Sequence, residues 1–143
     1  MGYCKRKFTE VQILKRLFIN RERKFASALL PYWIITSITK KEFMCKYNLE
    51  GDLCKFNAMG QAIPRIEIST LDSVGTRISN GQTLLIDLSD ETETIFASTM
   101  NGCLSTEVDL KDFEVNVNYY EICLSTKGGL MGLSYPCFKK YKK

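Results

Sequence analysis

Histidine is missing from all 143 residues, and several chemistries go with it. The Ser-His-Asp and Cys-His mechanisms, the histidine acid–base ribonucleases and every histidine-containing metal site are excluded. Long apolar runs are missing too. The most apolar window, Phe25 to Ile38, spans 14 residues and is broken by Pro31, short of the roughly 18–20 that crossing a bilayer requires. The N-terminus lacks the order of a secretory signal, because Arg16, Arg21, Arg23 and Lys24 lie among the apolar residues and not ahead of them. Arg6 stands where a myristoylation pattern needs Ser or Thr. These absences lead us to expect a cytoplasmic protein without membrane attachment.

Six cysteines are present, at 4, 45, 54, 103, 123 and 137, with no C-x-x-C pair among them. Without an export signal they read as reduced, small apolar side chains. Cys4, beside Lys5 and Arg6, is the one thiol in an obviously basic setting, but it precedes the first element and reads as a disordered thiol, not a nucleophile. The run Asp87 to Glu93 offers oxygen ligands without the EF-hand pattern or its glycine. The loop Gly128-Gly129-Leu130-Met131-Gly132 lacks a P-loop lysine. No cofactor or metal site is therefore expected, and no catalytic residue is assigned.

What the chain does contain is periodicity. Thr9-Glu10-Val11-Gln12 has the form of a capping box, and Ile13, Leu14, Leu17, Phe18, Phe25, Ala28 and Leu29 follow at helical spacing. This predicts an amphipathic helix over 9–30 with Lys15, Arg16, Arg23 and Lys24 on a basic face. From residue 32 the period changes to two. Tyr32 to Thr39 reads as a strand, and Phe43, Cys45, Tyr47 and Leu49 alternate with polar neighbours. A Glu50-Gly51 turn then pairs Tyr47 with Cys54, Cys45 with Phe56 and Phe43 with Ala58, setting Lys46 opposite Lys55.

Pro64 to Thr70 and Thr83 to Leu88 read as further strands. A Ser79-Asn80-Gly81 loop would pair Thr76 with Leu84 and Val74 with Ile86, a short helical turn over 71–78 being the alternative. Asn101-Gly102 predicts a two-residue type I′ turn pairing Thr99 with Leu104, Ala97 with Thr106 and Ile95 with Val108. A shift of apolar phase from Val117 and Tyr119 to Tyr120 and Ile122 predicts a bulge near Tyr119-Tyr120. The expected fold is one α+β domain over 1–143. It has a basic N-terminal helix (9–30), a β-rich body (32–125) and a glycine-rich loop with a basic tail (126–143). The helix packs on a meandering, mostly antiparallel sheet of about eight strands, open or partly closed into a barrel.

Charge is unevenly spread. Residues 1–46 carry 11 Lys or Arg against 3 acids, residues 47–125 carry 4 against 13, and residues 126–143 carry 5 against none. The central acids gather around two turns, Asp87, Asp90, Glu91 and Glu93 at one, and Glu107, Asp109, Asp112 and Glu114 at the other. In a meander these turns share one end of the sheet and form an acidic rim suited to a basic partner. Tyr119 and Tyr120 are candidate aromatic anchors there. The leading expectation is a non-enzymatic inhibitor, in concrete form an immunity protein (antitoxin) that covers the basic surface of a toxin such as a nuclease. The second expectation is a nucleic-acid-binding module using Lys15, Arg16, Arg23, Lys24, Lys46, Lys55, Lys139 and Lys140, where aromatics interleave with lysines in the tail.

Overall fold

The computed structural model describes residues 15–23, 30–49, 58–59, 63–128 and 134–140. Its first element corrects the sequence reading. Lys15–Arg21 is a strand, β1, and not part of a helix. The remainder of the expected helix, 9–14 and 24–29, lies outside the described residues. The segment Lys-Arg-Leu-Phe-Ile-Asn-Arg satisfies both periods, since Leu17 and Phe18 serve a helical stripe while Leu17, Ile19 and Arg21 serve a strand face. Tertiary pairing decides between them. β1 runs antiparallel to β4 (Thr83–Leu88) on one side and parallel to β8 (Tyr119–Gly128) on the other. Leu17, Ile19 and Arg21 all point inward and are buried.

Around β1 the strands form a five-stranded sheet in the order β4-β1-β8-β7, where β7 is Glu114–Asn116, with β9 (Ser134–Lys139) also on β8. Cys123 and Leu124 pair with Asn20 and Arg21 and also with Lys139 and Phe138, so β9 lies on the edge of β8 away from β1, as β7 does. A second sheet has the order β3-β2-β5-β6, from Gly75–Ile78, Tyr32–Ile35, Thr94–Ser98 and Val108–Asp109. Among the described residues the fold is thus α+β with two open sheets, neither a closed barrel nor a simple meander. Tyr32, Ile34, Ile95 and Ala97 face Leu17, Ile19, Ile122 and Leu124 of the other sheet. Trp33, Ile35 and Phe96 face the opposite way, into a second cluster with Phe43, Leu49 and Leu71. β2 is buried along its whole length because it is covered on both faces.

Two helices supply that outer cover, and each overlaps an expected strand. α1 spans Lys40–Lys46 and α2 spans Ile68–Val74. α1 is opened by a capping box, in which the Thr39 hydroxyl accepts the Glu42 N–H and Glu42 accepts the Thr39 N–H. It closes with a Schellman motif. Asn48 is left-handed at φ 57°, its N–H donates to Cys45 O, and the Leu49 N–H donates to Met44 O at 2.8 Å. The alternating apolar residues also satisfy helical spacing: Phe43 and Tyr47, four apart, meet edge to face with centroids 4.9 Å apart. The expected Glu50-Gly51 hairpin loses its first strand, and residues 50–57, Lys55 among them, lie outside the described residues. Over 71–78 the helical alternative holds for the first half. The expected pairing of Thr76 with Leu84 does not form, because β3 pairs with β2 while β4 joins the other sheet.

Two turns depart from expectation in detail. Ile95 pairs with Val108 as the Asn101-Gly102 hairpin predicts, but nearer the turn Ser98 bridges Leu104, one residue out of step. Gly102 is left-handed at φ 83° while Asn101 is not, and the Gly102 N–H donates to Thr99 O. This is a three-residue loop with its glycine at the bulge position, not a type I′ turn. The expected bulge at Tyr119-Tyr120 is a second hairpin: Asn118 is left-handed at φ 67°, and the register irregularity falls on β7 (Glu114–Asn116) between Glu114 and Asn116.

One buried cation joins the two sheets. Arg21 is 1% exposed. Its guanidinium donates to Ile78 O at 2.8 Å and to Leu30 O at 2.9 Å, and lies 3.8 Å from the centroid of the Tyr32 ring. Burial lowers the guanidinium pKa from its ordinary value, with Tyr32 acting in the opposite sense. The Tyr32 hydroxyl shares a 2.9 Å hydrogen bond with Thr126 on β8, so the contact spans both layers. Replacing Arg21 by Ala removes both bonds and leaves the buried Ile78 carbonyl without this donor. We expect Arg21→Ala to lower unfolding free energy by about 3 kcal/mol or more in urea denaturation, with Arg21→Lys recovering only part. A loss below about 1 kcal/mol would show that Arg21 is not the cross-layer tie.

Candidate functional site: an acidic, hydroxyl-rich groove

Three segments far apart in sequence converge at one end of the molecule. They are the β2–α1 loop, the turn between β4 and β5, and Glu107 just before β6. Together they line a groove of about 540 Å³ whose walls carry Glu42, Glu91, Glu93 and Glu107. Among the described residues, six others in the lining bear hydroxyls and none is Lys or Arg. Glu107 is held in place: one oxygen accepts the Lys40 backbone N–H at 2.9 Å and the Thr94 hydroxyl at 3.0 Å. Glu42 is held by its cap, accepting the Thr39 N–H at 3.1 Å and hydroxyl at 3.0 Å, which keeps its carboxyl below the ordinary range. Glu91 and Glu93 are exposed on the β4–β5 turn. That turn is fastened from below, since the Lys15 ammonium donates to Thr92 O at 2.9 Å.

The other acids singled out from the sequence are divided among roles. Asp87 faces Arg16 at 3.4 Å on the outer face of the five-stranded sheet. Asp109 caps the 3-10 turn Leu110–Phe113 by accepting the Lys111 N–H. Asp112 and Glu114 are exposed. The two acidic turns are tied together, for the Leu110 N–H donates to Glu93 O at 2.9 Å. Asp90 and Glu114 both act on Tyr120, whose phenol pKa is raised first by burial and then by those two charges. Tyr120 is 7% exposed and packs in the inter-sheet core, so its ring is committed internally; Tyr119 is half-buried. Glu42 was missed by sequence reasoning, although Thr39-x-x-Glu42 carries the capping-box signal that places it.

The basic residues do not share a face. Lys15 and Arg16 sit at the start of β1, engaged as described. Arg23 lies against Gly81 beyond the other end of β1. Lys46 ends α1, its ammonium over the Tyr47 ring. Lys139 pairs with Glu22 at 3.0 Å, a contact that with the Ser125 hydroxyl holds the Glu22 carboxyl low. Lys140 is exposed, and Lys24 and Lys55 fall outside the described residues. Among the described residues, no group of three or more His, Cys, Asp or Glu is placed to hold a metal ion.

The cysteine reading needs correction at one position. Cys103 is disulfide-bonded to a partner outside the described residues, whereas Cys45, Cys123 and Cys137 are free thiols. Disulfides belong mainly to oxidising compartments, so the cytoplasmic expectation loses the support it drew from reduced cysteines. No helix among the described residues is long and apolar enough to cross a membrane.

No protein-family model and no curated protein matches the chain. Among solved structures it is similar to Serratia marcescens Lip, a membrane-bound component of the type VI secretion system. The TM-score is 0.45 at 10% identity, over 92% of this chain and 99% of that one. A likeness at this level assigns neither fold nor role.

Thr39 ties the groove to the helix behind it. Thr39→Ala should cost about 1 kcal/mol of stability as a lost N-cap and let the Glu42 carboxyl titrate nearer its ordinary range, read by NMR. The lowered Glu42 pKa means its stabilising contribution is present above the ordinary glutamate pKa and is lost as pH falls through the folded value. The variant should therefore lose less stability on acidification than the wild type does. An unchanged Glu42 titration would show that the cap does not set that carboxyl.

Proposed function

We propose that the protein is a non-enzymatic binding protein that receives basic side chains of a protein partner in the acidic groove. In its specific form it is an immunity protein that neutralises a toxin by covering a basic functional surface. The observation that carries this reading is the convergence of Glu42, Glu91, Glu93 and Glu107 on one concavity, with no basic residue in its lining among the described residues. Two of the carboxylates are already anchored and so lose little freedom on binding. The other two make no hydrogen bond or ion pair from their side chains among the described residues, and stand ready to take a Lys or Arg. The hydroxyls between them offer further acceptors for ammonium or guanidinium N–H groups. A nucleic-acid partner would meet four carboxylates at this groove, and the candidate basic residues among the described residues are dispersed or already paired.

A fluorescent lysine-rich peptide provides the test. Binding at low salt should weaken as salt rises, and the Glu91→Lys/Glu93→Lys double variant should lose at least about tenfold in affinity with its circular dichroism unchanged. Affinity capture from producing cells should likewise recover a basic protein with the wild type and lose it with the double variant. A peptide that fails to bind at low salt, or binds both proteins equally, removes the groove from this role.

A further inference from the structure

β4 is the end strand of its sheet, paired with β1 on one side and with no strand on the other among the described residues. The ladder determines which backbone groups face outward. The Arg21 N–H donates to Gln82 O, and bonded and non-bonded positions alternate along an antiparallel pair. Leu84, Ile86 and Leu88 therefore bond β1, while Thr83, Leu85 and Asp87 turn their N–H and C=O groups to the open edge. Natural sheets guard such edges with proline, lysine, bulges or brevity. β9 carries Pro136, β7 has three residues with a shifted register, and β6 has two. β4 has six uninterrupted residues, Thr-Leu-Leu-Ile-Asp-Leu, and its one charge already faces Arg16. Leu85 is 55% exposed on the outer face, and Leu84 and Ile86 reach the core only in part.

We propose that β4 is a homodimerisation edge, where two copies join antiparallel about a two-fold axis through Leu85 to form one continuous sheet. A second copy is the occupant because the strand is self-complementary in this register. Leu85 meets the partner's Leu85 on the outer face, Leu84 meets the partner's Ile86 on the inner face, and Thr83 meets the partner's Asp87. The three outward-facing positions then exchange about six backbone hydrogen bonds. A shift of two residues one way sets Leu85 against Asp87. The same shift the other way sets Thr83 against Leu85 and Asp87 against the turn glycine. A shift of one residue puts outward groups opposite inward ones. The symmetric pairing is isologous and closes on itself, leaving no edge for further addition at β4. It is independent of the groove and of any partner bound there.

Sedimentation equilibrium of the full chain tests this, together with amide exchange at Thr83, Leu85 and Asp87. The wild type should show twice the monomer mass at high micromolar concentration, with those amides protected as concentration rises. Leu85→Lys sets like charges across the axis and should weaken dimerisation about 100-fold. Leu85→Pro removes one outward N–H and leaves the β1 ladder intact, and should also give monomer. Leu85→Lys alters an exposed position, so it decides the matter even where the proline variant fails to fold. A wild type that remains monomeric with rapid exchange at all three amides overturns the proposal, as does a dimer indifferent to Leu85→Lys.

Discussion

β1 is hydrogen-bonded along both edges, antiparallel to β4 and parallel to β8, and much of the five-stranded sheet is arranged by that double pairing. With its edges occupied, the strand has one free choice, which face turns inward, and Leu17 and Ile19 settle it. Their phase carries Arg21 inward as well. A guanidinium so placed must find acceptors, and it finds them in Ile78 and Leu30, one at the end of β3 and the other just before β2. The cation thus connects the first sheet to the edge of the second, at a place where an aliphatic side chain would leave the buried Ile78 carbonyl without this donor.

The groove depends on the same arrangement at the opposite end. Lys15, the first residue of β1, holds Thr92, and so fixes the turn that projects Glu91 and Glu93. The facing wall comes from Thr39 and Glu42, whose mutual hydrogen bonds serve the start of α1 and the shape of the groove at once. Glu107 closes the gap by bonding a backbone N–H of α1 and a side chain of β5. The carboxylates are thus positioned by contacts that the fold requires for other reasons, and their convergence comes without a dedicated structural element.

Some of this was legible in the chain and some was not. The strands at 32–35, 83–88 and 119–128 follow from period-two patterning, and the turn glycines at 81 and 102 do adopt left-handed backbone. The failures came where one segment satisfies two periods. Leu17 and Phe18 support a helix on local spacing, and only pairing with distant β4 and β8 makes them strand residues. Phe43 and Tyr47 read as alternating strand positions, yet they are also four apart, and the Thr39-Glu42 box decides for helix. The acids at 87–93 and 107–114 were visible as clusters, but which of them would share a cavity depends on strand order, which periodicity does not encode. Glu42, between two expected strands, joins the groove because the Thr39-Glu42 capping box starts a helix there.

The pairing of β1 also has a consequence in time. Arg16 pairs with Tyr119, roughly a hundred residues further on, so β1 leaves the ribosome long before its parallel neighbour exists. Until β4 is made, Leu17 and Ile19 are an apolar strand face with no strand alongside, and the parallel edge of β1 waits longer still, for β8. The three arginines and lysine within Lys15–Arg23 keep that waiting segment charged, and a charged strand resists pairing with the wrong chain. Arg21 is one of those charges, and in the folded protein the same side chain is the contact that joins the layers.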